Sequence, residues 1–233
     1  MENNIDILCT RPVNEKLVSA ALQKNIVIDV LSFIETEPLE TVEVQQEIEH
    51  ALTLNSTIVF TSMNAVESVS HFVEGEMPDW KIYAIGYTTR QLVEKYFDLS
   101  LLAGTADNAT DLAELIIAES EGDGVIFFCG DQRREELPQI LRNANIEVDE
   151  IIVYETIPVP HKIEKKYLGI LFFSPSAVES FFSVNTIATT TILFVIGNTT
   201  GEAVRKYSTN KIITADMPGK DLLVEKMIEY FGG

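Results

Sequence analysis

Nine residues of this chain, Phe60-Thr61-Ser62-Met63-Asn64-Ala65-Val66-Glu67-Ser68, return 112 positions later as Phe172-Phe173-Ser174-Pro175-Ser176-Ala177-Val178-Glu179-Ser180. Ile85-Gly86-Tyr87-Thr88-Thr89 returns as Ile196-Gly197-Asn198-Thr199-Thr200, and Lys95-Tyr96 as Lys206-Tyr207. Asp111-Leu112 matches Asp221-Leu222, while Cys9, Glu35, Thr36 and Pro38 match Cys129, Glu155, Thr156 and Pro158 at an offset of 120. Two copies of one design, each the size of a small domain, predict two lobes. A cleft between such lobes is where a ligand is expected.

Apolar, β-branched runs alternate with helical patterns from end to end. The expected strands are 5–9, 26–33, 57–60, 81–85, 99–102, 125–129, 146–154, 168–173, 191–196 and 211–214. Helical patterns separate most of them, as at 65–72, 89–97, 111–118, 135–143, 178–182, 201–207 and 221–230. This alternation reads as α/β, with parallel sheets covered on both faces and ten strands divided five to a lobe. The repeat permits two partitions. The halves can follow one another, about 1–120 and 121–233, or the arms can be exchanged, so that the N-terminal arm joins the C-terminal unit. In the second case Glu35–Pro38 and Glu155–Pro158 are the two crossings, and a Pro in each suits a linker.

A net charge of −19, from 36 acidic and 17 basic residues in 233, excludes nucleic acid and anionic membrane as partners. It leaves room for an anionic small molecule held by a few cations and by backbone N–H groups. No apolar run approaches the roughly 20 residues of a membrane helix, and the start Met1-Glu2-Asn3-Asn4 lacks a basic n-region. The expected location is therefore the cytoplasm. There Cys9 and Cys129 read as reduced core thiols, an interlobe disulfide being the alternative.

In both copies a strand runs into a Ser- or Thr-rich turn that opens a helix, at Thr61-Ser62-Met63-Asn64 and at Ser174-Pro175-Ser176-Ala177. Gly86-Tyr87-Thr88-Thr89 and Gly197-Asn198-Thr199-Thr200 repeat the arrangement, with Gly freeing the backbone and Thr expected to cap the helix. Capping alone explains one such turn. At the carboxyl ends of a doubly wound sheet, however, four helix starts would also offer donors to an anion. Arg11 after the first strand, and Arg133 and Arg134 in Asp131-Gln132-Arg133-Arg134, are candidate cations, with surface ion pairs as the competing use. Phosphate-loop, nucleophile-elbow and metal-ligand spacings are absent, and His50, His71 and His161 read as surface residues. Tyr154 breaks the duplication, since its counterpart is Ile34. A phenol can donate to a departing oxygen while neutral at pH 7, and packing at a strand end is its other reading.

Phe-Thr-Ser-Met-Asn-Ala-Val at 60–66, Ala-Ile-Gly-Tyr-Thr-Thr at 84–89 and Val-Tyr-Glu-Thr at 153–156 resemble the uroporphyrinogen-III synthase family. Phe-Phe-Ser-Pro-Ser-Ala-Val at 172–178 and Ile-Gly-Asn-Thr-Thr at 196–200 complete the resemblance across nearly the whole chain. It implies two flavodoxin-like doubly wound domains, residues 1–36 with 159–233 and residues 40–154, joined by a two-stranded linker near 34–40 and 153–160. It also implies a cofactor-free reaction; apart from the resemblance, no metal is expected and the chain is expected to act as a monomer. Hydroxymethylbilane, an open tetrapyrrole with eight carboxylates, loses its hydroxyl and closes through a spiro intermediate with the last ring inverted. Tyr154 matches the position that assists hydroxyl departure, and Thr199 and Thr200 match cleft-lining positions. Arg11, Thr61, Ser62, Asn64, Gly86, Thr88, Thr89, Arg134, Ser174, Ser176, Ala177 and Gly197 make up the rest of the expected binding set. A bilobed protein that merely binds an anion is the alternative.

Overall fold

Ile5-Asp6-Ile7-Leu8-Cys9 shows why the chain forms sheets covered on both sides. Ile7 and Cys9 enter one apolar cluster and Leu8 the opposite one, as the two-residue period of a strand requires. The computed structural model describes residues 4–73, 77–119, 124–217 and 219–233. The chain divides into two compact units, residues 1–35 with 157–233, and residues 36–156.

The first unit holds a five-stranded sheet of β1 (Ile5–Cys9), β2 (Ile26–Val30), β9 (Gly169–Phe172), β10 (Ile192–Val195) and β11 (Ile212–Thr214). Their order is β11-β10-β9-β1-β2, and every neighbouring pair is parallel. β1 meets β9 with Cys9 opposite Leu171, so the N-terminal arm is built into the C-terminal strands. Helices α1 (Glu15–Leu22), α7 (Pro175–Val184), α8 (Asn198–Arg205) and α9 (Lys220–Gly232) flank this sheet.

The second unit carries β4 (Ser56–Phe60), β5 (Trp80–Ile85), β6 (Leu102–Ala106), β7 (Val125–Gly130) and β8 (Val148–Pro158), with β3 (Ile34–Pro38) at the edge beside β8. The order is β3-β8-β7-β4-β5-β6. From β8 to β6 all pairs are parallel. Helices α2 (Val42–Leu52), α3 (Met63–Ser70), α4 (Tyr87–Tyr96), α5 (Ala109–Glu119) and α6 (Glu136–Asn143) belong to this unit. Phe60 and Phe128 stack at 5.6 Å on one sheet face, and Trp80 donates its indole N–H to Ala51 O at 2.9 Å. Val59 and Phe127 enter the core of the other face.

Several expectations change. The strand expected over 26–33 stops at Val30, because Phe33 is fully buried edge-on to Phe181, 5.1 Å away. Among the described residues eleven strands form rather than ten, since the charged stretch 34–38 is an edge strand, where a terminal Pro costs no ladder bond. Leu99–Leu101 is a 3₁₀ turn capped by Asp98, whose carboxylate accepts Ser100 N–H at 2.8 Å, and the strand follows at Leu102–Ala106. His161 is half-buried rather than superficial and meets Phe33 edge-on at 5.5 Å. Cys9 and Cys129 are free and buried, and burial pushes both thiols up to about 11. No helix among the described residues is long and apolar enough to cross a membrane.

Candidate active site

Because β4, β5, β7 and β8 run in one direction, the turns that follow them share the carboxyl edge of the second unit's sheet. Thr61, Ser62 and Asn64 lie there after β4, Gly86, Thr88 and Thr89 after β5, and Arg134 after β7. Ser62 is the N-cap of α3, and its Oγ accepts Asn64 N–H at 3.2 Å. Its backbone is extended and its short side chain folds back onto the first turn, as a cap requires.

Tyr154 occupies the same edge on β8, directly opposite Gly130, where the β7–β8 register shifts after Cys129. Its phenol donates to Ser62 Oγ at 3.0 Å. Three features hold it. A Cβ on Gly130 would overlap the Tyr154 ring, so the absent side chain is the niche for the aromatic. Asp131 N–H donates to Tyr154 O at 3.1 Å, and Asp131 Oδ1 accepts Thr156 N–H at 3.0 Å, so one residue grips β8 on both sides of the tyrosine. Burial raises the Tyr154 pKa above the ordinary phenol value. The side chain is therefore a neutral donor across the physiological range.

Tyr154 and Asn64 also line an open depression of about 200 Å³ with Thr36, Ser68, His71 and Tyr96. Thr36, Ser68, His71 and Tyr96 were not in the expected set, although Thr36, Ser68 and Tyr96 fall inside the repeated segments. Gly130 was missed as well. Its signal is a second break in the duplication: at the offset of 120, Gly130 stands against Thr10 just as Tyr154 stands against Ile34.

In the first unit, β1, β9 and β10 likewise bring Arg11, Ser174 to Ala177 and Gly197 to Thr200 to one carboxyl edge. Ser174 caps α7 and accepts from Ala177 N–H and from the Ser176 hydroxyl, both at 3.2 Å. Ser176 is half-buried and Ala177 buried.

The threonines do not cap. Gly86 and Gly197 are themselves the N-cap residues of α4 and α8, with no side-chain cap bond, and the Thr pairs sit inside the first turns. A helix leaves its first N–H groups unpaired, so a glycine cap keeps them open to a ligand where a hydroxyl would consume one. In each unit the earlier threonine, Thr88 or Thr199, is exposed and the later one, Thr89 or Thr200, is buried. Of the cations, Arg133 is committed to Glu135 at 2.6 Å and to Glu150. Arg11 and Arg134 are exposed and without an ion pair among the described residues. No cluster of three metal-ligating side chains occurs among the described residues.

Each edge offers neutral hydroxyls, helix-start N–H groups and one exposed arginine without an ion pair among the described residues. Such a set can hold carboxylates and give a hydrogen to a leaving oxygen.

Comparison with known proteins identifies the family. The profile of the family described as uroporphyrinogen-III synthase HemD matches residues 15–225. A uroporphyrinogen-III synthase of Chlorobaculum parvum is 25% identical, over 97% of this chain and 94% of its own. The solved uroporphyrinogen-III synthetase of Helicobacter pylori superposes with a TM-score of 0.66 at 17% identity, covering 97% of this chain and 99% of that one. A mutant uroporphyrinogen III synthase of Thermus thermophilus gives 0.60 at 13% identity, over 97% and 98% of the two chains.

Proposed function

Because the chain belongs to the uroporphyrinogen-III synthase family, we propose that it closes hydroxymethylbilane to uroporphyrinogen III, with Tyr154 assisting departure of the hydroxyl. The family match carries the assignment, and the alternative of a simple anion-binding protein is not favoured. The reading includes two flavodoxin-like domains, residues 1–36 with 159–233 and residues 40–154, joined by paired strands near 34–40 and 153–160. Its support is the strand order. Counted along its own chain, the first unit's sheet runs 2-1-3-4-5, and the second runs likewise when counted from β7.

Hydroxymethylbilane closes unaided to the unrearranged isomer, so the protein's task is to fold the ligand and stabilise charge as the spiro centre forms. Backbone N–H groups at the starts of α3, α4, α7 and α8 are the proposed holders of its carboxylates, with Thr88 and Thr199 exposed beside them and Arg11 and Arg134 as countercharges. The excess of acidic residues repels the same ligand at long range, so moderate salt should aid binding. Buried free thiols suit a reducing cytoplasm, and each edge is built from its own unit's strands, which suits a monomer.

The test is an isomer-resolved assay with hydroxymethylbilane. Isomer III is expected to accumulate far faster than isomer I forms spontaneously. Isomer I alone, at the spontaneous rate, would overturn the assignment.

A further inference from the structure

We propose that the hydrogen given to the departing oxygen comes from Ser62, with the Tyr154 phenol behind it, so that two side chains act as one donor. The inference rests on the cyclisation read above and changes which atom faces the ligand.

A serine hydroxyl has one hydrogen and two lone pairs. Ser62 Oγ already accepts twice, from the Tyr154 phenol at 3.0 Å and from Asn64 N–H at 3.2 Å. Its own hydrogen is thus free to donate, and no acceptor for it occurs among the described residues. Tyr154 has the opposite constraint, because its single hydrogen is committed to Ser62. At this pair the available hydrogen is the serine's. A hydroxyl that receives a hydrogen bond donates a stronger one, so the phenol sharpens Ser62 from behind.

The other unit shows that capping does not require a phenol. Ser174 accepts from its helix N–H and from a second hydroxyl in the same way, but that hydroxyl is the short side chain of Ser176. In the second unit the role passes to a residue 92 positions away, held by the Gly130 niche and by Asp131. The ring also packs against the cluster that holds Ala65, Val66 and Val69 of α3, so its body serves the core while its hydroxyl reaches the cap.

The step balances without a co-reactant. The C–O bond of the hydroxymethyl group breaks with its electron pair on oxygen, and the Ser62 proton completes a water molecule. The Tyr154 proton moves to Ser62 Oγ. The proton that a pyrrole carbon loses when the macrocycle closes restores the phenol.

The experiment is a double-mutant cycle on isomer III formation, using Ser62→Ala, Tyr154→Phe and both together. Each single change is expected to lower kcat about 10²- to 10³-fold with KM within about 3-fold, and the double variant should be no worse than the poorer single. Ser62→Thr should retain most turnover. Ser62→Asn keeps a cap but loses the hydroxyl, so it should fall as far as alanine. Thr41→Ala removes the comparable cap of α2 and should leave turnover unchanged. Losses that multiply towards about 10⁴-fold, or an active Ser62→Asn protein, would overturn the relay while leaving the assignment intact. A wild-type protein that yields only isomer I would remove the assignment and the relay together.

Discussion

Ser62 and Ser174 begin equivalent helices in the two units, and each accepts one backbone N–H and one hydroxyl. What lies behind them differs. In the first unit Thr10 occupies the end of β1, fully buried, and turns its hydroxyl to Leu171 O at 2.8 Å, fastening β1 to β9. In the second, the matching position is Gly130, the strand register shifts, and Tyr154 fills the space. One copy spends the position on cohesion, and the other uses it to bring a phenol to a helix cap. The cap occurs in both copies, and the two positions at which they differ, Thr10 against Gly130 and Ile34 against Tyr154, lie side by side only in the second.

This contrast can be broken experimentally. The largest effect is expected for Tyr154→Phe, which should cost about 10²- to 10³-fold in turnover with the fold retained by circular dichroism. Since burial raises this phenol above its ordinary pKa near 10, the protonated, donating form persists at lower pH and is lost only as pH climbs beyond about 10. The pH–rate profile should therefore show no alkaline limb from this group below pH 9, and such a limb removed by Tyr154→Phe would contradict the neutral-donor role. Gly130→Ala is next. Its Cβ would displace the ring, and misplacing a reacting group by about 1 Å costs on the order of 10²-fold, so kcat should fall while the melting temperature changes far less.

The smallest effect sharpens the same comparison at the other pair of helix starts. Gly86 has φ of +80° and ψ of 158°, a region nearly closed to other residues, whereas Gly197 is extended at φ −174° with open space around its Cα. Gly86→Ala should lower unfolding free energy by about 1–3 kcal/mol, and Gly197→Ala by less than about 0.5 kcal/mol. Urea titrations of both variants would check this, and equal losses would mean that the two glycines do the same work.

Much of this protein is legible locally. Alternation in Ile5–Cys9, the apolar run Val125–Cys129 and the Ser that ends β4 and β9 report their strands and caps, because burial period and capping act over a few residues. Thr88 and Thr199 lie inside first turns rather than at caps, and the sequence does not reveal that the glycine before each helix already serves as the N-cap. Arg133 looked as free as Arg134 until Glu150 arrived from β8.

The amino-acid order by itself determined a doubled α/β chain, the four helix starts and the oddity of a tyrosine where the other copy has isoleucine. Only the tertiary structure decided that β1 pairs with β9, that the β7–β8 ladder slips at Gly130, and that the tyrosine meets Ser62. The reason is physical. Hydrophobic burial is non-directional and does not choose among parallel partners, whereas register and the direction of a hydrogen bond are settled only when distant strands lie side by side.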